Sequence, residues 1–227
     1  MEQFERTINL IGEENFNKIL KKNIIVFGVG GVGGYVVEML VRSGISNLTI
    51  VDFDSVSISN LNRQIIALNS TLNMPKVSAF ETRLKDINKN LNLTVINNKI
   101  TAENIEEFNL SSFDYVIDCI DSFKDKLSLI EYCYKNNIKI ISSMGAGNRY
   151  KNCDFIITDI YKTTNDALAR KLRGELKKRD VKKLTVVCSN TPSDNLENKG
   201  KVLSISFVPA MCGIKLASFV INEIIEN

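Results

Sequence analysis

Apolar positions along this chain alternate between short dense runs and wider, helix-spaced sets, and that alternation predicts the elements. Residues 24–27 are an unbroken apolar run rich in β-branched side chains, the pattern of a strand buried on both faces. The run enters Gly28-Val29-Gly30-Gly31-Val32-Gly33, and Val36, Val37, Leu40 and Val41 follow at helical spacing up to Ser43 and Gly44. A second run at 48–51 delivers Asp52, nineteen residues after Gly33. Beyond it the pattern predicts a helix over 76–88 opened by Pro75, a strand at 93–96, a short helix at 102–108 and a strand at 114–120. A helix over 126–135 and a fifth strand at 138–142 continue the alternation.

After residue 150 the spacing changes. Strands are expected at 154–160, 184–188 and 203–208, with a basic helical segment between the first two and a polar loop at 189–201. Residues 208–225 are apolar but contain Lys215 and Glu223, which favours a packed helix over a membrane span. Residues 1–22 read as an arm and a helix. The expected architecture is a Rossmann-like α/β fold in three layers, its mostly parallel sheet extended by later, partly antiparallel strands. We expect one domain over 1–227: an arm and helix at 1–22, a nucleotide-binding half at 23–150 and a substrate-side half at 151–227 that ends in a helix.

Strand, glycine turn, helix, strand and acid make up a mononucleotide-binding unit. Gly28 permits the tight turn, Gly30 and Gly31 keep the backbone bare for phosphate, and Gly33 lets helix and strand pack closely. Asp52 is placed to read the ribose. A dehydrogenase needs little else polar here, yet the chain adds Asp54, Asn60, Arg63, Gln64, Lys76 and, past a later strand, Asp121. Arg63 and Lys76 suit phosphate oxygens, the first by its fork and the second as a point charge. Asn60 and Gln64 suit orientation of phosphate or ribose. Asp121 suits Mg²⁺ held by one carboxylate, with water and phosphate completing the octahedron. ATP with Mg²⁺ is therefore the expected ligand.

Composition changes the picture in three places. The 227 residues are 44% hydrophobic and 24% charged, enough to bury a full core. His is absent, which excludes an imidazole base, and the five Cys lie at no pairing interval and form no CxxC, as in a reduced cytosol. Residues 162–183 hold nine basic and three acidic side chains, an excess of six where the whole chain has a net charge of +3. Positive charge is concentrated there, and a polyanion is the natural partner.

The string from Gly28 to Gln64, with Met74-Pro75-Lys76 and the stretch 114–122, resembles the ubiquitin-activating, thiamine- and molybdopterin-pathway superfamily of ThiF/MoeB-like adenylating enzymes. Residues 141–149 and 159–163, followed by 166–170, resemble its tRNA threonylcarbamoyladenosine dehydratase branch, although that branch carries Pro where Ala167 stands. The resemblance runs from about Phe4 to the C-terminus. It implies adenylation of the threonyl carboxylate of N6-threonylcarbamoyladenosine, next to the anticodon in tRNA, and then ring closure with net loss of water. It also implies a cytoplasmic homodimer in which Arg6 reaches the partner's ATP site, with sulfur-transfer proteins as further partners and no membrane. Lys162, Asp166, Arg170, Arg173 and Lys177 are the expected tRNA contacts.

Two other classes stay open on sequence. One is an activator of a sulfur-carrier protein's C-terminus, for which the paired zinc cysteines are missing. The other is a nicotinamide-dependent oxidoreductase. For a thiolate acceptor the nearest candidates are Cys188 and Cys212, both better read as packed thiols.

Overall fold

Strand β1 (Asn23–Phe27) is central because Ile24, Ile25, Val26 and Phe27 carry nothing that needs water, and all four are fully buried. Ile24 and Val26 point into one core and Ile25 and Phe27 into the other, as the two-residue period of a strand dictates. The computed structural model describes residues 2–151, 153–194 and 202–227. In chain order the elements are α1 (Glu5–Ile11), α2 (Glu13–Lys21), β1, α3 (Gly33–Arg42), β2 (Asn47–Val51), α4 (Lys76–Ile87), β3 (Asn92–Ile96), β4 (Tyr115–Asp118), α5 (Phe123–Lys135), β5 (Ile140–Ser143), β6 (Phe155–Asp159), α6 (Ala167–Lys178), β7 (Thr185–Ser189) and α7 (Phe207–Glu226).

The seven strands run in the order β3-β2-β1-β4-β5-β7-β6. Five neighbouring pairs are parallel, and β6 lies antiparallel to β7, with Phe155 opposite Ser189. Helices cover both faces. α2, α3, α4 and α7 supply the core on the Ile24/Val26 face, and α5 supplies Leu129 and Cys133 on the other. α6 seats Leu172 and Leu176 against Val186, Cys188 and the α5 residue Ile130. The chain leaves β1 towards β2 on one side, while β4 pairs on the other. The crevice beyond the carboxyl ends of β1 and β4 is thus a topological switch point.

α7 is long and apolar enough to cross a membrane by length and composition. In this fold Val208, Cys212, Leu216 and Val220 are fully buried in the main core. Its Gly213 crosses the start of α3 so closely that a Cβ there would stand 2.4 Å from the Val32 carbonyl oxygen.

Three sequence expectations are corrected. The single N-terminal helix is two, broken at Gly12 with φ of +85°. The helix expected at 102–108 is only a 3₁₀ turn, Ile105–Phe108. Residues 203–206 are not a strand, despite the alternating Leu203, Ile205 and Phe207. Among the described residues no strand lies beside them, and Val202, Leu203 and Ile205 are 75%, 44% and 38% exposed. Asn148 holds this segment in place of a sheet neighbour: its N–H donates to Leu203 O at 2.7 Å, and its Oδ1 accepts from Leu203 N–H at 2.8 Å. Asn62 Nδ2 then donates to Ser204 O at 3.0 Å. The last part of the polar loop expected at 189–201, residues 195–201, lies outside the described residues.

Candidate functional site

The crevice at the switch point is a cleft of about 560 Å³, and the glycine turn forms its floor. Gly28 has φ of +81°, a left-handed backbone that other residues rarely adopt. Gly33 has no room for a side chain, since a Cβ would fall 1.8 Å from Gly28 O. Gly30 and Gly31 line the cleft, and no backbone crowds them. α3 opens at Val32 with no side-chain cap; Gly34 N–H donates to Gly30 O at 3.0 Å and Tyr35 N–H to Val32 O at 3.1 Å, and the positive end of the helix dipole faces the glycine turn.

The carboxylate at the end of β2 is 8% exposed and already engaged. Asp52 Oδ2 accepts Val29 N–H at 2.8 Å, and Oδ1 accepts Asp54 N–H at 2.9 Å. This ties the acid to the glycine turn. The loop after β2 folds back on the approach to α4 through Val56 N–H to Met74 O and Lys76 N–H to Asp54 O, both at 2.9 Å. Lys76, 5% exposed, thereby comes within 2.7 Å of Asp54 Oδ2 and 4.0 Å of Asp52 Oδ1. Arg63 projects from the loop before α4, its Nη1 donating to Ser59 O at 2.7 Å and Asn62 Oδ1 at 2.9 Å. Asn60 Oδ1 accepts Ser57 N–H at 3.1 Å and so helps shape the same loop. Gln64 lines the cleft, and its buried Oε1 has no hydrogen-bond partner among the described residues. A ligand hydroxyl or N–H would relieve that cost.

Asp121 stands past β4, exposed and lining the cleft. The turn before it is shaped from beneath: Asp118 Oδ1 accepts Ile120 N–H at 3.0 Å, and Asp118 Oδ2 pairs with Lys126 Nζ at 2.7 Å. Among the described residues the cleft is lined by Arg63, Lys76 and Lys99 against Asp52, Asp54, Asp121 and Asp125. Lys76 is paired with Asp54, and Lys99 with Asp125 at 2.8 Å. Asp121 has no cation within ion-pair reach among the described residues. A triphosphate entering alone would meet a slight excess of negative charge. The donor set therefore suits a divalent cation shared between Asp121 and phosphate oxygens rather than a cage of protein ligands. No group of three or more metal-ligating side chains occurs among the described residues.

Sequence reasoning missed the other walls. Lys99 and Phe53 stand just past β3 and β2, with the ammonium 5.8 Å from the ring centroid, and Ala146, Gly147, Val202 and Ser204 close the far side. Position at a strand's carboxyl end could have flagged the first two. Nothing local marks Val202 or Ser204.

The expected nucleic-acid face is only partly free. Arg170, Lys177 and Lys162 are exposed, with Lys177 Nζ 5.9 Å from the Tyr161 ring centroid. Arg173 is turned inward, where Nη1 donates to Thr163 O at 3.0 Å and to the Thr163 hydroxyl. Asp166 is 6% exposed and caps α6, Oδ1 accepting Ala169 N–H at 2.8 Å and Oδ2 accepting Gly145 N–H at 2.9 Å. Arg6 is exposed on α1 and does not line the cleft of its own chain. Burial pushes the Cys119 and Cys133 thiols up to about 12, Cys188 to about 11 and Cys212 well above the ordinary range. All four are poor thiolates.

Residues 4–225 match the ThiF family model. The tRNA threonylcarbamoyladenosine dehydratase of Bacillus subtilis is 34% identical over all of this chain and 96% of its own length. The solved E. coli tRNA N6-threonylcarbamoyladenosine dehydratase in complex with ATP superimposes with a TM-score of 0.92 at 31% identity, covering 99% of this chain and 94% of that one. A molybdopterin-synthase adenylyltransferase of Haemophilus influenzae is 34% identical, but over 60% of this chain and 55% of its own.

Proposed function

This chain belongs to the ThiF family, in its tRNA threonylcarbamoyladenosine dehydratase branch, and we propose that it closes the ring of N6-threonylcarbamoyladenosine in tRNA at the expense of ATP. The observation that carries the proposal is the cleft itself. A glycine turn, an uncapped helix start, Arg63 and Lys76 converge on one crevice, in a fold that superimposes along its whole length on an ATP-bound dehydratase.

In the first step an oxygen of the threonyl carboxylate bonds to the α-phosphorus of ATP, and the bond to the bridging oxygen breaks. Pyrophosphate leaves with that electron pair. Arg63 and Lys76 offset the negative charge that spreads over the phosphates, and the glycine-turn N–H groups hold the chain in line. Lys76 exchanges part of its pairing with Asp54 for phosphate. Asp52 keeps the turn in register through Val29. Asp121 would hold Mg²⁺, which when bound supplies charge neutralisation to the triphosphate. In the second step a nucleophile within the modification itself attacks the activated carbonyl, and AMP leaves. ATP is thereby converted to AMP and pyrophosphate with net loss of water from the tRNA, and no protein thiolate takes part. That agrees with the raised thiols.

The same reading makes the enzyme a cytoplasmic homodimer with composite sites, Arg6 supplying its charge to the partner's phosphates. Arg170, Lys177 and Lys162 contact tRNA phosphates. Mass spectrometry of tRNA nucleosides after incubation with ATP and Mg²⁺ tests the reading. The cyclic nucleoside should form together with AMP, and AMP production only with a sulfur-carrier protein would overturn it.

A further inference from the structure

We propose that Tyr150 is a stacking platform for an unpaired base of the RNA substrate, set beside the nucleotide cleft; the proposal rests on the tRNA reading above. The reacting carboxylate is carried on the N6 of an adenosine, so that nucleotide turns towards the cleft, and the base beside it loses a stacking partner. A protein ring replaces that partner without reading sequence, because every base has a π-face.

Tyr150 fits that task by position, exposure and rigidity. It lies three residues beyond Gly147, which with Ala146 lines the cleft, and the residue is 53% exposed. The loop that carries it is clamped from below by Arg149, which is only 5% exposed and has no ion-pair partner among the described residues. Instead the Arg149 guanidinium donates to Gly145 O, Gly147 O and Asn165 O at 3.0 Å each, and to Thr191 O at 3.1 Å. Asp166 adds the Gly145 N–H, and Asp194 Oδ2 accepts Tyr150 N–H at 3.3 Å. One buried side chain thus ties the cleft wall to Asn165, immediately before the cap of the basic helix α6. A ring on so fixed a loop loses little freedom when it binds.

The charge is also appropriate. Lys151 Nζ lies 5.6 Å from the Tyr150 ring centroid and 3.6 Å from Asp194 Oδ1; its side chain is 68% exposed, so it can exchange this loose pairing for a phosphate next to the stacked base. Through Arg149 the cleft wall, the loop that carries Tyr150 and Lys151, and the residue before the α6 cap belong to one hydrogen-bonded network. It is suited to a single-stranded loop whose reacting nucleotide enters the cleft while a neighbouring base rests on the ring.

The test compares Tyr150→Ala and Tyr150→Phe in the full-length protein, with wild-type formation of the cyclic nucleoside as the control for the underlying reading. Tyr150→Ala should raise KM for tRNA by roughly fivefold to a hundredfold, the loss of one stacked base, and leave KM for ATP unchanged. Tyr150→Phe, which keeps the ring, should stay within about twofold of wild type. An anticodon stem-loop with 2-aminopurine beside the modified adenosine should show a fluorescence change on binding to wild type and Tyr150→Phe, and none with Tyr150→Ala. Unchanged KM and fluorescence in Tyr150→Ala would overturn the proposal, as would a Tyr150→Phe as impaired as the alanine variant. Failure of the wild type to form the cyclic nucleoside would instead overturn the tRNA reading.

Discussion

Lys126 and Asp118 form an ion pair at 2.7 Å between two side chains that are both completely buried. Lys126 Nζ also donates to Ser143 O at 3.1 Å and lies 3.1 Å from Ser142 Oγ, so α5, β4 and β5 are joined beneath the turn that presents Asp121. Charges taken this far from water persist only when each has its partner. Lys126→Met should lower stability by about 3–5 kcal/mol, because it strands a buried carboxylate. Adding Asp118→Asn should recover much of the loss. Urea denaturation of the three proteins checks both effects.

Lys76 lines the cleft beside Asp52 and Asp54, and on the proposed reading its removal should act on rate more than on fold. Lys76→Ala and Arg63→Ala should each lower ATP-dependent turnover about a hundredfold, corresponding to roughly 3 kcal/mol in the transition state. Circular dichroism should stay native in both. Near-normal turnover in either variant would remove that side chain from the phosphate site.

Arg6 is exposed and does not line its own chain's cleft. If it serves the partner's cleft, mixing inactive Arg6→Ala with inactive Asp121→Ala should restore activity, since one site of each mixed dimer is whole. Turnover is measured after subunit exchange has been demonstrated by mass. A mixture that exchanges but stays inactive would place Arg6 outside the site.

Along α6, two exposed cations and one internal one should behave differently. Arg170→Glu and Lys177→Glu should weaken tRNA binding and flatten its dependence on salt, as each lost phosphate contact lowers counterion release. ATP binding should survive. Arg173→Glu should mainly destabilise the fold, because its guanidinium satisfies carbonyls around Thr163. Salt titrations of tRNA affinity, set beside thermal melts, separate the two effects.

Glu38 gives stability an acid limb. Burial raises its pKa, but hydrogen bonds from Arg83 and Arg42 outweigh that and hold it below the ordinary 4.5. A depressed carboxylate contributes stability above its unfolded pKa, and the contribution is lost as pH falls through the folded value. Glu38→Gln should therefore cost about 1–3 kcal/mol at pH 7 and almost nothing near pH 2, a convergence that denaturation curves at the two pH values would reveal.

The chain's local order determined a great deal. Four apolar residues in a row, a glycine turn and an acid at the next strand's end can form only one compact arrangement, since each signal acts through its own backbone or near neighbours. Hence the parallel sheet, the switch-point cleft and the convergence of Asp52, Asp54, Arg63, Lys76 and Asp121 on it were legible from sequence. That the later strands would be partly antiparallel was legible, but not which pair, because two runs separated by one helix ordinarily read as a parallel unit. What the tertiary structure decided depends on partners far apart in the chain. The alternation of Leu203, Ile205 and Phe207 reads as a strand, yet among the described residues no strand neighbours it, and Asn148 and Asn62 hold it beside the cleft instead. The spacing of Arg170, Arg173 and Lys177 predicts a shared face. It does not say that carbonyls packed beneath the helix will draw Arg173 inward, and a charged residue looks the same in sequence whether its partner is water, a carbonyl or a buried carboxylate.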